Sequence, residues 1–205
     1  EIFQDGFRIP WLKLYDRGAP NEAIFTLLRA NVRVPEMTLG DLRSQISACH
    51  IGERAILNLV QRYGADTLPA LTTDLIDYTE RLVRAEIGTW PDGTATFVDY
   101  MDSDGVAVRP VKLQATITIA GDSLTADFTG SDPQVQGALN NTLSFTASVV
   151  YLCVRAAMQT EVPNTAGMFK PITVIAPKGT VVNGAMPAAS SMRGVTGFRL
   201  TDTVF

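Results

Sequence analysis

Apolar residues in the first half of the chain repeat with helical spacing. One stripe recurs at steps of three, four or seven and is made of Leu42, Ile46, Cys49, Ile56, Val60 and Tyr63. This predicts a long helix that begins at Thr38 or Asp41 and ends at Gly64, because glycine adopts a left-handed backbone without steric cost. A second stripe, made of Leu71, Leu75, Tyr78, Leu82 and Ala85, predicts another helix that ends near Gly88. Their short connector favours an antiparallel helical hairpin.

Before this hairpin, residues 1–20 are irregular and contain two glycines and two prolines, which is typical of an extended lead-in. A short helix is predicted from Asn21, and Pro35 is expected to end it.

The spacing changes to a period of two after residue 93. Residues 94–100 are predicted to form a strand, and residues 111–119 alternate strictly between apolar and polar, as in a strand with one solvated face. A tight turn at Gly121-Asp122 leads into a third strand at 124–128, so an antiparallel β-meander is predicted.

A largely apolar helix is predicted at 142–158, and it should be buried on most of its faces. A strand at 172–175 and a last helix from about Thr196 follow. The fold class expected is therefore α+β: a long antiparallel helical hairpin followed by an antiparallel β-meander with a buried helix packed on it. Residues 1–88 would form a lead-in plus helical region and residues 89–205 the meander region, or both would belong to one continuous domain of a larger subunit.

Composition narrows the class of protein. Hydrophobic residues make up 46% of the 205 residues and charged residues 19%, which is enough apolar content for a sizeable core. The net charge of -4 argues against a nucleic-acid partner. The longest apolar stretch, 145–158, is too short and too polar for a membrane span and is interpreted as a buried core helix. A cytoplasmic location is expected, because the two cysteines are interpreted as free thiols of a reducing compartment.

The cysteine and histidine content offers little metal-binding chemistry. Cys49 and Cys153 each lie in an apolar helical pattern and are interpreted as buried free thiols. His50 is the only histidine and is interpreted as structural, and the chain has no CxxC or HExxH motif. Asp102-Ser103-Asp104-Gly105 resembles the start of a calcium loop but lacks its later acidic ligand, so a hairpin turn is predicted there.

Four polar residues in the second half are candidates for a reaction cavity. Asp127 ends a predicted strand and could act as a general base or polarise an amide, or it could simply cap a turn. Asn140 and Asn141 precede the apolar helix, whose N-terminal amides can hold an anion; plain capping is the alternative. Arg193 lies in a glycine-containing loop ahead of the last helix and could clamp an anion or lie on the surface.

Seven stretches in the same order resemble the B subunit of the hydantoinase/oxoprolinase family, which includes the large subunits of acetone and acetophenone carboxylases. These are EIFQDGFRIP (1–10), ANVRVP (30–35), GDLRSQ (40–45), GER (52–54), DFTG (127–130) with QG (136–137), VPNTAG (162–167) and RGVT (193–196) continuing into FR (198–199). The likeness covers essentially the whole chain.

The resemblance implies a function in an ATP-dependent complex. Proteins of this kind work with an A-type ATP-binding subunit to open a cyclic amide such as hydantoin, 5-oxoproline or another lactam. An amide is a poor electrophile, and phosphorylation of its carbonyl oxygen by the partner makes a better leaving group before water attacks.

The resemblance also implies where the cofactors lie. ATP and Mg belong to the partner, and the family's aspartate- and histidine-rich metal motifs lie upstream of the stretch that corresponds to Glu1. The chain is therefore expected to be an interior fragment that has no metal of its own and is inactive alone. Glu1, Gln4 and Arg8 form the polar side of the segment that follows the metal region, and they are candidates for substrate or partner contacts.

Two other functions remain open from the sequence. The first is a subunit of an acetone- or acetophenone-type carboxylase, in which the activated intermediate forms a C–C bond. The second is a non-catalytic module whose helical hairpin serves subunit assembly.

Overall fold

A computed structural model describes residues 9–205. By their internal contacts these residues form two compact units, one ending at Leu71 and the other comprising Thr72–Phe205.

The first unit is largely helical. A minimal antiparallel ribbon, β1 (Tyr15–Asp16) and β2 (Ala19–Pro20), precedes α1 (Glu22–Asn31) and α2 (Pro35–Tyr63). Ile24 and Leu28 of α1 and Leu39 of α2 are buried together and form a small apolar cluster. Pro35 is expected to end α1, but it is also the first residue of α2. A proline is tolerated in the first helical turn, because the N–H that it lacks would have no partner within the helix there.

The second unit contains the sheet. Helix α3 (Leu68–Ile87), which belongs to this unit from Thr72 onward, leads into β3 (Gly93–Met101), β4 (Val111–Ala120) and β5 (Ser123–Asp127). Helix α4 (Leu143–Ala157), a 3-10 turn (Ala166–Phe169), β6 (Ile172–Ile175) and α5 (Arg193–Val204) follow.

The strands form one sheet in the order β3-β4-β5-β6. The first three are antiparallel, which confirms the predicted meander, while β6 pairs in parallel with β5. The parallel pair arises because the chain crosses over through α4 before it forms β6, and a parallel partner needs a crossover of this length.

The core of this unit lies between one face of the sheet and the helices α3, α4 and α5. Alternate residues of β4 and β5 are buried there, including Leu113, Ala115 and Ala126, and they pack with Val150 of α4 and Leu200 of α5. The α+β class, with two long helices followed by a sheet packed with helices, is confirmed.

Three details of the sequence interpretation are corrected. Cys49 is an exposed thiol and only Cys153 is buried, because the apolar stripe of α2 is solvent-exposed around residue 49. The last helix begins at Arg193, three residues before Thr196. Arg193 and Gly194 are therefore helical residues and do not lie in a loop.

No helix within residues 9–205 combines the length and the apolar content that a membrane crossing requires.

The 3-10 turn lies against the backbone of α3 at Gly167. A Cβ atom added there would lie 2.0 Å from the carbonyl oxygen of Ile76 and 2.9 Å from the amide nitrogen of Glu80. Only glycine permits this approach, which explains the glycine that ends the VPNTAG stretch.

We expect Gly167→Ala to lower the free energy of unfolding by more than about 2 kcal/mol, because backbone must move to relieve the overlap. Gly194→Ala is the matched control: a Cβ there meets nothing within 4 Å. Since residue 194 is helical, alanine should leave stability unchanged or raise it by up to about 1 kcal/mol. Urea unfolding midpoints compare the two variants, and equal midpoints would contradict the close approach.

Candidate functional site

Asn140 ties together the loop between β5 and α4. Its side chain is fully buried, and its Oδ1 accepts a hydrogen bond from the backbone N–H of Val135 at 2.8 Å. Its Nδ2 lies within hydrogen-bond distance of three backbone carbonyl oxygens, those of Val135 (2.8 Å), Gly137 (3.1 Å) and Ala189 (2.9 Å). The Ala189 contact joins this loop to the segment before α5, so Asn140 positions two loops that regular secondary structure does not connect.

Asn141 is also fully buried, but its bonding is incomplete. Its backbone N–H donates to the carbonyl of Val181 (2.7 Å), and its own carbonyl accepts from the N–H of Gly184 (2.8 Å). Its Nδ2 lies 3.5 Å from Oγ1 of Thr146, which itself donates to the carbonyl of Val182. Because the Thr146 hydroxyl has one proton, it accepts from Asn141, and this fixes the orientation of the amide.

The Oδ1 atom of Asn141 is the buried side-chain acceptor that has no hydrogen-bond partner among the described residues. An unpaired buried acceptor costs about 1–3 kcal/mol, so such an atom calls for an explanation in a water, a ligand or a movement of the loop. This unpaired oxygen makes the start of α4 the most distinctive polar region of this unit.

Asp104 anchors the same loop from the β3–β4 hairpin. Its Oδ1 accepts from the N–H groups of Ala107 (2.6 Å) and Val106 (2.9 Å), and its Oδ2 accepts from the N–H of Gly137 (3.0 Å). These backbone donors, that of Ala107 foremost, hold the pKa of the Asp104 carboxyl below its usual value. The turn predicted at 102–105 lies within the longer loop, residues 102–110, that joins β3 to β4. Its second aspartate, Asp104, also bonds the β5–α4 loop.

Arg193 lies beside the start of α4. Its guanidinium is exposed, donates to the carbonyl of Ser190 at 3.0 Å and lies 5.7 Å from the ring centre of Phe145 in the first turn of α4. Three residues along α5, the buried hydroxyl of Thr196 donates to the carbonyl of Leu139 at 2.6 Å. The first turn of α5 is thereby fixed to the loop that carries Asn140 and Asn141.

Asp127 has no recorded hydrogen bond to Asn140, Asn141 or Arg193. It is the last residue of β5, and its Oδ1 accepts from the N–H of Thr129 at 2.8 Å. Gly130, with φ of 100°, completes the turn that follows. The carboxylate thus has a local turn-capping bond, and its role in a reaction stays a prediction.

The predicted candidates therefore divide into three sets. The structure brings Asn140, Asn141 and Arg193 together around the start of α4, and it places Asp127 at the end of β5. Glu1, Gln4 and Arg8 lie outside the described residues.

Asp104, Thr146 and Thr196 support the site but were not predicted. Each acts through a contact with a residue distant in sequence, such as Asp104 with Gly137, and spacing gives no signal for such a contact. The one hint in the sequence is the acidic turn at 102–105.

Within residues 9–205, no group of three or more histidine, cysteine, aspartate or glutamate side chains is arranged to hold a metal ion. The resemblance places the family's divalent metal upstream of this chain, and the described residues offer no ligand set for it.

The model of the family described as Hydantoinase B/oxoprolinase matches residues 1–205. The chain belongs to the hydantoinase B/oxoprolinase family. It is 33% identical over 215 residues to the B subunit of a putative D-/L-hydantoinase from Pseudomonas sp. (strain NS671), a match that covers 100% of this chain and 36% of that protein.

Two solved structures share the fold of this family member. The crystal structure of ATP-dependent caprolactamase from Pseudomonas jessenii superposes with a TM-score of 0.87 at 32% identity, covering 100% of this chain and 35% of that one. The nucleotide-free structure of acetone carboxylase gives a TM-score of 0.80 at 18% identity, covering 93% of this chain and 27% of that one. This hydantoinase B/oxoprolinase chain thus spans about a third of the length of the hydantoinase subunit and the caprolactamase chain named above.

Loss of the Asn140 side chain should destabilise the protein more than loss of the Asn141 side chain. In Asn140→Ala a buried N–H and several buried carbonyls lose their partner, and we expect the free energy of unfolding to fall by roughly 2–4 kcal/mol. Asn141→Ala removes one 3.5 Å hydrogen bond and an unpaired oxygen, so its effect should be the smaller. Denaturant unfolding of both variants measures this order, and the reverse order would be evidence against the network.

The Asp104 carboxylate should make stability depend on acid pH. Because its folded-state pKa is lowered, its contribution is fully present above the unfolded pKa of about 3.9 and is lost as pH falls through the folded value. Asp104→Asn places an N–H group opposite the N–H of Gly137 or of the 106–107 turn. We expect its destabilisation to be constant from pH 6 to 8 and to shrink below roughly pH 4. A difference from wild type that does not change down to pH 2.5 would rule this assignment out.

Proposed function

We propose that this chain is part of the B-type subunit of an ATP-dependent cyclic amidohydrolase. Its substrate would be the ring of a hydantoin, 5-oxoproline or a similar lactam, and an A-type ATP-binding subunit would be its partner. The observation that carries the proposal is the whole-chain match, at 32% identity and a TM-score of 0.87, to an ATP-dependent caprolactamase.

The chemistry explains why ATP is needed. A cyclic amide resists water because its nitrogen lone pair is delocalised into the carbonyl. Transfer of the γ-phosphoryl group to the carbonyl oxygen removes this delocalisation, and water then attacks the carbon. The ring C–N bond breaks as the nitrogen takes up a proton, and hydrolysis of the remaining acyl phosphate leaves the ring-opened acid, ADP and phosphate.

Within this scheme, Arg193 is proposed to face the anionic groups of substrate or transferred phosphate. Its guanidinium is exposed, and the carbonyl of Ser190 occupies only part of its five N–H donors. Asp127 is proposed to orient water or the ring N–H.

The two asparagines take different parts in the proposal. Asn140 acts as a positioning residue, because backbone groups take up its whole amide. Asn141 is proposed to offer its buried, unpaired side-chain oxygen as an acceptor for a substrate N–H. Glu1, Gln4 and Arg8 are proposed to contact substrate or partner.

Metal and nucleotide are proposed to lie outside this chain. ATP with Mg would be held by the partner, and a divalent metal by the upstream part of the full subunit. The described residues supply no metal ligand set of their own.

A carboxylase of the acetone type is the less favoured function. The resemblance to acetone carboxylase has 18% identity and supports the shared fold alone, whereas the caprolactamase match has 32%. A purely structural role is the other alternative, and the mutational test below separates it from catalysis.

The test uses the full-length subunit combined with its ATP-binding partner. We expect ATP-dependent opening of hydantoins or lactams, and no carboxylation of acetone with bicarbonate. Arg193→Ala and Asp127→Asn should each lower kcat/KM by about tenfold or more, which corresponds to about 1.4 kcal/mol of transition-state stabilisation.

Two substitutions serve as matched controls, because they change exposed residues of the same types. Arg155→Ala on α4 and Asp102→Asn in the β3–β4 loop should leave turnover unchanged. Wild-type rates for Arg193→Ala and Asp127→Asn would remove both residues from the site. Carbon–carbon bond formation in place of ring opening would refute the amidohydrolase proposal.

A further inference from the structure

Helix α5 has a glycine in its interior, at residue 197, where glycine stabilises a helix less than alanine does. The packing of this buried residue explains its presence. A Cβ atom added to Gly197 would lie 2.5 Å from Cε1 and 3.1 Å from Cζ of Phe145. Atoms this close overlap, so the glycine provides the space in which the Phe145 ring lies against the backbone of α5.

The same ring lies under the side chain of Arg193. Residues 193 and 197 are four positions apart and therefore share one face of α5. Cζ of Arg193 lies over the Phe145 ring, 5.7 Å from its centre, which is within the range of a cation–π interaction. The Nη1 atom of Arg193 also donates to the carbonyl of Ser190 at 3.0 Å.

The Phe145 ring is itself held in place. Phe145 belongs to the first turn of α4, and its backbone N–H donates to Oγ1 of the capping residue Thr142 at 3.3 Å. Its side chain is half-buried and packs against the main apolar core. The facing turn of α5 is fixed by the hydrogen bond from Thr196 to the carbonyl of Leu139. The ring and the helix that carries Arg193 therefore keep a defined geometry.

Arg193 has no acidic partner that would hold it in the way other arginines are held. Arg199, on the same helix, pairs with Asp99 at 3.3 Å, whereas Arg193 forms no ion pair with a carboxylate within residues 9–205. A long exposed side chain loses rotamer freedom when it binds a ligand, and this loss weakens binding. A ring under one face and a carbonyl at one nitrogen restrict the guanidinium beforehand and leave further N–H donors for an anion.

We propose that Phe145 is a positioning residue for Arg193: its ring, seated against Gly197, holds the guanidinium in the orientation that binds an oxyanion of the substrate or of the transferred phosphate. The anion-binding role of Arg193 rests on the proposed function, whereas the packing of Phe145 does not.

A double-mutant cycle on the full-length subunit with its ATP-binding partner tests this coupling. The substrate is the cyclic amide that the wild-type complex opens, taken from hydantoin, 5-oxoproline and caprolactam. We expect Phe145→Leu to lower kcat/KM by about three- to fivefold, but by less than about twofold in the Arg193→Ala background, where the ring has nothing to position. An equal loss in both backgrounds would show that Phe145 only supports the fold.

Two glycines of α5 provide a second, matched pair of variants. Gly197→Ala forces the Phe145 ring to move, so it should lower kcat/KM by about as much as Phe145→Leu does. Gly194→Ala places a Cβ that meets nothing within 4 Å, and it should keep the wild-type value. Equal kcat/KM for the two glycine variants would contradict the inference.

Chemical labelling of arginine with phenylglyoxal measures the contact without any turnover. The full-length subunit is labelled alone, and mass spectrometry compares Arg193 with the exposed Arg155 of α4 as an internal reference. We expect Phe145→Leu and Gly197→Ala each to raise the relative labelling rate of Arg193 by about threefold, because the ring no longer covers the guanidinium.

The two measurements distinguish failure of this inference from failure of the proposed function. An unchanged labelling rate in both variants would overturn the inference, whatever reaction the complex performs. Faster labelling together with wild-type turnover of Arg193→Ala would instead confirm the contact and contradict the catalytic role of Arg193.

Discussion

The buried amide of Asn140 is the contact on which the polar region at the start of α4 depends. The loop between β5 and α4 has little regular backbone pairing, and neither does the segment that precedes α5. One side chain bonds Val135, Gly137 and Ala189, and Asp104 adds a second anchor at Gly137. Buried polar groups of this kind are favourable only when fully bonded, so the two loops and the asparagine form together.

The bonding of Asn140 explains why the Asn141 oxygen and the Arg193 guanidinium, which lie nearby, can remain available to a ligand. Backbone groups bond the whole side-chain amide of Asn140. Asn141 is held by main-chain hydrogen bonds to Val181 and Gly184, so its side-chain oxygen has no hydrogen bond within the fold. The first turn of α5 is fixed through Thr196 and Leu139, which places Arg193 beside Phe145 with its guanidinium exposed. A catalytic site must keep its geometry through a reaction. Functional groups whose positions are fixed by supporting hydrogen bonds, as here by those of Asn140 and Thr196, meet that requirement.

Much of the fold follows from sequence periodicity, and the site does not. The alternation at 111–119 and the tight turn at 121–122 predict β4 and β5 closely, because period and turn chemistry are local properties. The parallel pairing of β6 and the bond from Asp104 to Gly137 depend on contacts distant in sequence. The stripe of α2 predicts a helix correctly but not the exposure of Cys49, because exposure depends on which other elements cover the helix.

Native-state hydrogen exchange tests the central claim most directly, because it reports how strongly the Asn140 network holds each backbone amide. The amides of Val135, Asn141 and Gly184 lie in loops but bond within this network. We predict that they exchange through the same large opening as the amides of β4, with protection close to that of the core. Exchange at the rate of a solvent-exposed loop would contradict this and show that the network does not hold the site.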